Sequence, residues 1–137
     1  MKQLFINLPV EDLEKSAIFY NQIGFTNYPL FTDSNQKCVV WSEHILVMLQ
    51  SKEFFHRGKS KPIVYAKANI ALTFTLPVES LEKVNEIIER GLNAGGAEPI
   101  AKIDEGYMQV RSIEDLDGHS WSIMHLDLDK FKEFRVK

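Results

Sequence analysis

Two short runs of the chain alternate apolar and polar side chains, and each leads into the same eight-residue phrase. Leu4, Ile6 and Leu8 fall on one side with Phe5 and Asn7 opposite, while Ile70, Leu72 and Phe74 oppose Asn69, Ala71, Thr73 and Thr75. A period of two predicts strands with unlike faces at 4–8 and 69–75. LPVEDLEK at 8–15 and LPVESLEK at 76–83 then differ at a single position and start 68 residues apart. That spacing is almost half the chain and predicts two copies of one structural unit.

Pro9 and Pro77 lack a backbone donor and are expected to stop each ladder. The acidic residues that follow, with Asp12 and Ser80 as caps, predict helix starts. Leu13, Ala17 and Tyr20 recur at helical spacing, as do Leu81, Val84, Ile88 and Leu92, so each helix carries one apolar stripe. Gly24 ends the first helix and Gly95-Gly96 follows the second. Short strands are then predicted at 26–31, 37–41 and 45–49 in the first half, and at 99–103, 107–112 and 120–126 in the second. Each half reads β-α-β-β-β.

The predicted class is α+β, one domain over residues 1–137 made of two tandem modules with cupped mixed sheets. Module one covers about 1–50, a linker with one helical turn about 51–68, module two about 69–127, and a charged helical tail 128–137. One helix covers only one face of a four-stranded sheet, so the other face is expected to curl into a cup suited to a small ligand. A sheet face left to water is the plainer reading of the same pattern.

Composition narrows the function. A net charge of −3 gives no broad footprint for nucleic acid, and RGKSK at 57–61 is a short basic run in a predicted loop. No apolar stretch is long enough to span a bilayer, and the N-terminus lacks a secretion signal, so a cytoplasmic location is expected. Cys38, the single cysteine, excludes an intrachain disulfide and sits in an apolar run as a core thiol.

Val10-Glu11-Asp12-Leu13-Glu14-Lys15-Ser16-Ala17-Ile18-Phe19-Tyr20 with Gly24-Phe25, and Asp115-Leu116-Asp117-Gly118-His119-Ser120-Trp121, resemble the two signatures of the vicinal oxygen chelate superfamily. Its fold is the glyoxalase / bleomycin-resistance / extradiol-dioxygenase fold. With Phe5–Val10, ILVML at 45–49 and Gly106-Tyr107-Met108, the similarity runs over about 3–127, nearest the branch called predicted lactoylglutathione lyase. The fold is well specified by this resemblance; the activity is not, because one fold hosts unrelated chemistries.

In metal-dependent members a ligand stands on the first strand of each half and a carboxylate on the last. The resemblance carries those four places onto Phe5, Met48, Asn69 and Ser122. None supplies an imidazole or a carboxylate, so no metal and no other cofactor is expected. By alternation the cup lining is Phe5, Asn7, Met48, Asn69, Ala71, Thr73, Tyr107, Gln109, Arg111 and Ser122, a set that grips by shape and a few hydrogen bonds. Arg111 suits either an anionic ligand or a surface carboxylate, and Tyr107 either acid–base work or packing. His119 reads as a turn residue and His125 as a strand-end residue, and His44 and His56 as loop residues. Asp115 and Asp117 frame a tight turn and are expected to accept backbone amides.

Three functions of different class follow. The first is a homodimeric binder of a small molecule that needs no metal, the dimer being implied by the resemblance. The second is a metal-dependent lyase or dioxygenase with relocated ligands, recruiting His119 or His125. The third is a protein-interaction module whose cup is filled by its own side chains.

Overall fold

The computed structural model describes residues 1–136; the last residue of the expected tail, Lys137, lies outside the described residues. Strand β1 (Leu4–Val10) is followed by helix α1 (Leu13–Gln22), β2 (Thr26–Asn27), a 3-10 turn at Pro29–Phe31, β3 (Gln36–Ser42), β4 (Ile45–Ser51) and a short α2 (Lys52–His56). The second half gives β5 (Phe74–Pro77), α3 (Leu81–Asn93), β6 (Ile103–Asp104), β7 (Met108–Glu114), β8 (Ser120–Leu126) and the tail helix α4 (Leu128–Val136). Two four-stranded mixed sheets result, in the orders β1-β4-β3-β2 and β5-β8-β7-β6. The chain is α+β, with each sheet drawn from one half.

The repeat is visible in bonding detail. Asp12 accepts from the Lys15 amide at the start of α1, and Ser80, in the same place of the second octapeptide, accepts from the Lys83 amide at the start of α3. β1 runs parallel to β4 with Asn7 opposite Met48, and β5 runs parallel to β8 with Thr75 opposite Ser122. Pro77 ends its strand as expected, whereas Pro9 lies inside β1, which continues to Val10. Both strands are at sheet edges, where the missing proline donor breaks no ladder bond.

α1 and α3 pack against each other and against their sheets, and the inward faces of both modules share one core. Its centre is aromatic: the Trp121 ring lies 4.7 Å from Phe74, 5.5 Å from Phe25 and 5.8 Å from Tyr20 between centroids. Burying rings of this size contributes roughly 2–3 kcal/mol each before entropy is counted. Three strands are shorter than the sequence predicts, and the run 99–103 joins the sheet only at Ile103, in the two-residue β6. The run 26–31 leaves the sheet after Asn27, because Pro29 opens a 3-10 turn. The run 69–75 pairs only from Phe74, because the amides of Ala68 and Asn69 both donate to the Tyr65 carbonyl and hold the chain in a turn. Among the described residues no helix is long and apolar enough to cross a membrane.

Candidate functional site

The two signature stretches meet at the junction of the modules. The buried Tyr20 hydroxyl donates to Asp115 Oδ2 at 2.5 Å and accepts from Trp121 Nε1 at 2.9 Å. Asp115 Oδ1 accepts the amides of Asp117 at 2.9 Å and His119 at 2.8 Å, which closes the turn as expected for a structural carboxylate. From that turn Asp117 accepts the Glu11 amide at 2.9 Å, and His119 Nε2 donates to the Pro9 carbonyl at 2.8 Å. The second signature thus clasps the start of the first repeat. Burial pushes the Asp115 carboxyl above its ordinary value and the Tyr20 hydroxyl well above its own.

Beside this clasp opens a cleft of about 350 Å³, bounded by β1, by α2 and the chain after it, and by the turn into β8. Phe55, Ile63, Ile70, Leu72 and Phe74 give it apolar walls. Asn7, Asn69, Glu114, His119 and Ser120 bring polar groups, and His56, Lys59 and Lys61 line it from the basic run. Its volume falls in the range of small-molecule pockets. Ile70 and Leu72 are 73% and 61% exposed, so the alternation that imitates a strand here dresses the cleft rather than a sheet.

Of the residues expected to line the cup, Asn7, Asn69 and Ala71 meet in this cleft. The others are distributed elsewhere. Phe5 lies on the open face of the first sheet, edge-on to Phe31 with centroids 5.7 Å apart. Met48 is buried on that face with Cys38 and Leu46; burial pushes the Cys38 thiol up to about 11, as an inert thiol requires. Ser122 lies on the open face of the second sheet, 3.2 Å from the Ser112 hydroxyl. Thr73 is exposed in the turn segment ahead of β5.

Three expectations are corrected. Register pairs Arg111 with Ile123 and Gln109 with His125, whereas Ser112 pairs with Ser122, so Arg111 and Gln109 stand on the helix side of β7, opposite to the cup. Arg111 holds Glu98 through two bonds of 2.8 Å and reaches Asn85 and Glu89 of α3. Those contacts raise its pKa and, through the same bonds, lower that of Glu98. Gln109 donates to Asp104 and to the Gly106 carbonyl in the turn before its strand. Tyr107 packs against Phe131 and Phe134 of α4, with ring centroids 5.3 and 4.9 Å away, so its ring covers the tail helix.

Sequence reasoning missed Phe55, Ile63, His56 and His119 as cleft residues. The available signal was Pro62-Ile63-Val64-Tyr65, an apolar run inside a segment otherwise read as an irregular linker.

The metal-ligand places that the sequence resemblance implies fall on β1, β4 and β8, except Asn69, which lies ahead of β5. On the open faces stand Phe5 and Asn7 with Met48, and Thr75 with Ser122, while Thr73 lies in the turn segment just ahead of β5. The octapeptide repeat makes Thr73, not Asn69, the counterpart of Phe5. Thioether, amide, hydroxyl and phenyl groups do not fit a divalent ion that wants imidazole or carboxylate. Among the described residues no group of three or more His, Cys, Asp or Glu is placed to hold a metal ion.

The paired modules, the helices sharing one core and the open sheet faces define the glyoxalase/bleomycin-resistance/dioxygenase fold. Comparison with known proteins agrees. A family described as bleomycin resistance protein-like N-terminal matches residues 2–41. A solved structure of hypothetical protein SA1046 from S. aureus superposes with a TM-score of 0.77 at 24% identity, covering 91% of this chain and 94% of that one. A glyoxalase/bleomycin resistance protein/dioxygenase family enzyme from Burkholderia phytofirmans PsJN gives 0.77 at 14% identity, with 92% and 99% covered. A glyoxalase-related enzyme from Fulvimarina pelagi gives 0.76 at 20%, with 91% and 88% covered. No curated protein matches the sequence. The N-terminal match and the shared fold together support the vicinal oxygen chelate superfamily.

Proposed function

We propose that this chain binds a small molecule without a metal, in the manner of a bleomycin-resistance-type protein. The observation that carries the reading is the donor set where the fold's ligand-bearing strands pair, Asn7 with Met48 and Thr75 with Ser122. These groups do not suit ligation of a divalent ion, so the fold's ligand-bearing strands offer a metal no site. The cleft of about 350 Å³ at the module junction supplies a volume for such a ligand. A cytoplasmic setting belongs to the proposal and suits the buried free thiol of Cys38.

Elemental analysis of protein purified without chelator is expected to find no stoichiometric divalent metal. Hemithioacetal isomerisation with added Ni²⁺, Zn²⁺ or Mn²⁺ is expected to stay at the buffer rate. A stoichiometric metal whose removal abolishes turnover would instead establish the lactoylglutathione-lyase-like or dioxygenase alternative, with relocated ligands.

Homodimerisation is part of the same reading. It is supported by apolar side chains that the open face of the first sheet leaves to solvent, Phe5 and Phe31 among them. Light scattering coupled to gel filtration is expected to give twice the chain mass, with Phe5→Glu shifting the peak toward the monomer. A monomeric wild type at high concentration contradicts the dimer while leaving ligand binding untouched.

A further inference from the structure

We infer that the junction cleft, and not the open cup, is the binding site, and that its ligand is an anionic amphiphile: one carboxylate or sulfonate on a compact apolar body. The inference rests on the small-molecule reading above and assigns its place and chemistry.

The charge argument is local. The chain carries −3 overall, yet residues 52–61 hold Lys52, Arg57, Lys59 and Lys61 against the single acid Glu53. Three basic groups from this stretch, His56, Lys59 and Lys61, line the cleft. Lys59 is already positioned: its ammonium donates to the Phe55 carbonyl and stands 4.5 Å from the Phe55 ring centroid, on an apolar wall of the same cleft. His56 Nε2 donates to the Lys61 carbonyl at 2.8 Å, which ties the ends of the basic loop together and leaves Nδ1 without a bond inside the loop. A cation beside desolvating apolar walls attracts an anion more strongly than it would in open water.

The shape argument concerns the other walls. Leu8, Phe55, Ile63, Leu72 and Phe74 surround the volume with carbon, which selects a ligand body that gains by leaving water, at roughly 25 cal/mol per Å². Glu114, the one acidic side chain on the lining, comes from β7 opposite Ser120, whereas the basic groups come from α2 and the segment after it, so opposite charges occupy different walls. The open faces lack this pairing of features. The first has Leu46 and Met48 buried with Phe5 partly exposed beside them, and the second a hydroxyl row of Thr75, Ser112 and Ser122.

Fluorescence titration with 8-anilinonaphthalene-1-sulfonate tests the inference, with octanoate and octan-1-amine as competitors. Wild-type protein is expected to bind one probe per chain, displaced by octanoate and not by the amine. The double variant Lys59→Gln/Lys61→Gln, changed only at exposed side chains, is expected to lose roughly tenfold in affinity. Ala71→Trp, on the exposed segment lining the cleft, is expected to abolish binding with an unchanged melting temperature. Thr75→Trp, which fills the open face of the second sheet, is expected to bind as wild type does.

Loss of binding in Thr75→Trp with retention in Ala71→Trp would move the ligand to the cup and overturn the site while sparing the small-molecule reading. Equal displacement by amine and carboxylate would overturn the charge assignment. Absence of saturable binding in the wild type would overturn the inference outright, whereas the small-molecule reading stands or falls separately on the metal analysis.

Discussion

Tyr20→Phe is expected to lower the unfolding free energy by about 3 kcal/mol, a drop of roughly 10 °C in melting temperature, although the ring itself is kept. Only one oxygen is removed, but it sits between two buried groups. Asp115 Oδ2 loses its donor and Trp121 Nε1 its acceptor. Each unpaired buried group costs about 1–3 kcal/mol, and the surrounding Phe25 and Trp121 rings leave the smaller side chain little chance to be replaced by water. Chemical denaturation is the measurement. A change under 1 kcal/mol would mean that the hydroxyl is dispensable and that the two signatures are joined by packing alone.

The same network has a pH signature. Burial raises the Asp115 carboxyl above its ordinary 3.8, against the lowering effects of His119 and the Tyr20 hydroxyl. A carboxyl raised on folding binds its proton more tightly in the native state. Its contribution is therefore complete below 3.8 and is lost as pH rises through the folded value. Relative to Asp115→Asn, which has no proton to exchange there, the wild type is expected to gain stability as pH falls toward 3.8. A constant difference across that window would contradict the assignment.

How far the sequence speaks for itself varies along the chain in a physical pattern. The octapeptide repeat carries the architecture because caps, apolar stripes and edge strands are local features, and Asp12 and Ser80 stand where they are expected. β5 was less legible: Ile70, Leu72 and Phe74 alternate as a strand does, but a turn on the Tyr65 carbonyl delays pairing until Phe74. Alternation reports unlike faces without saying what covers them.

β7 shows the complementary failure. Met108 to Ser112 has weak contrast between its faces, so alternation placed Arg111 in the cup, on the wrong side of the strand. Ile113, fully buried and one residue beyond the predicted strand end, shares a face with Arg111 and fixes it against α3. The cleft was least legible because its walls are brought together from β1, α2, the linker and the turn before β8, and no spacing rule links residues so far apart in the chain.

Gly118→Ala is the second large effect expected, and it couples the clasp to the cleft. Gly118 has φ +92°, a left-handed conformation that costs an L-residue about 1–2 kcal/mol. A Cβ there would also stand 2.7 Å from the Lys67 nitrogen and 2.8 Å from the carbonyl carbon of Ala66, both backbone atoms that no rotamer change can move. The linker at 66–67 must therefore lift or the turn must distort, for a combined cost of about 3 kcal/mol. Lifting exposes the chain around Lys59, Lys61 and Lys67, so trypsin is expected to cut the variant there several-fold faster than the wild type, before global unfolding. Wild-type stability together with wild-type cleavage would show that the linker does not rest on Gly118. Faster cleavage accompanied by weakened binding of the sulfonate probe would tie the seated linker to the integrity of the cleft, since the residues on both sides of that seat form its walls.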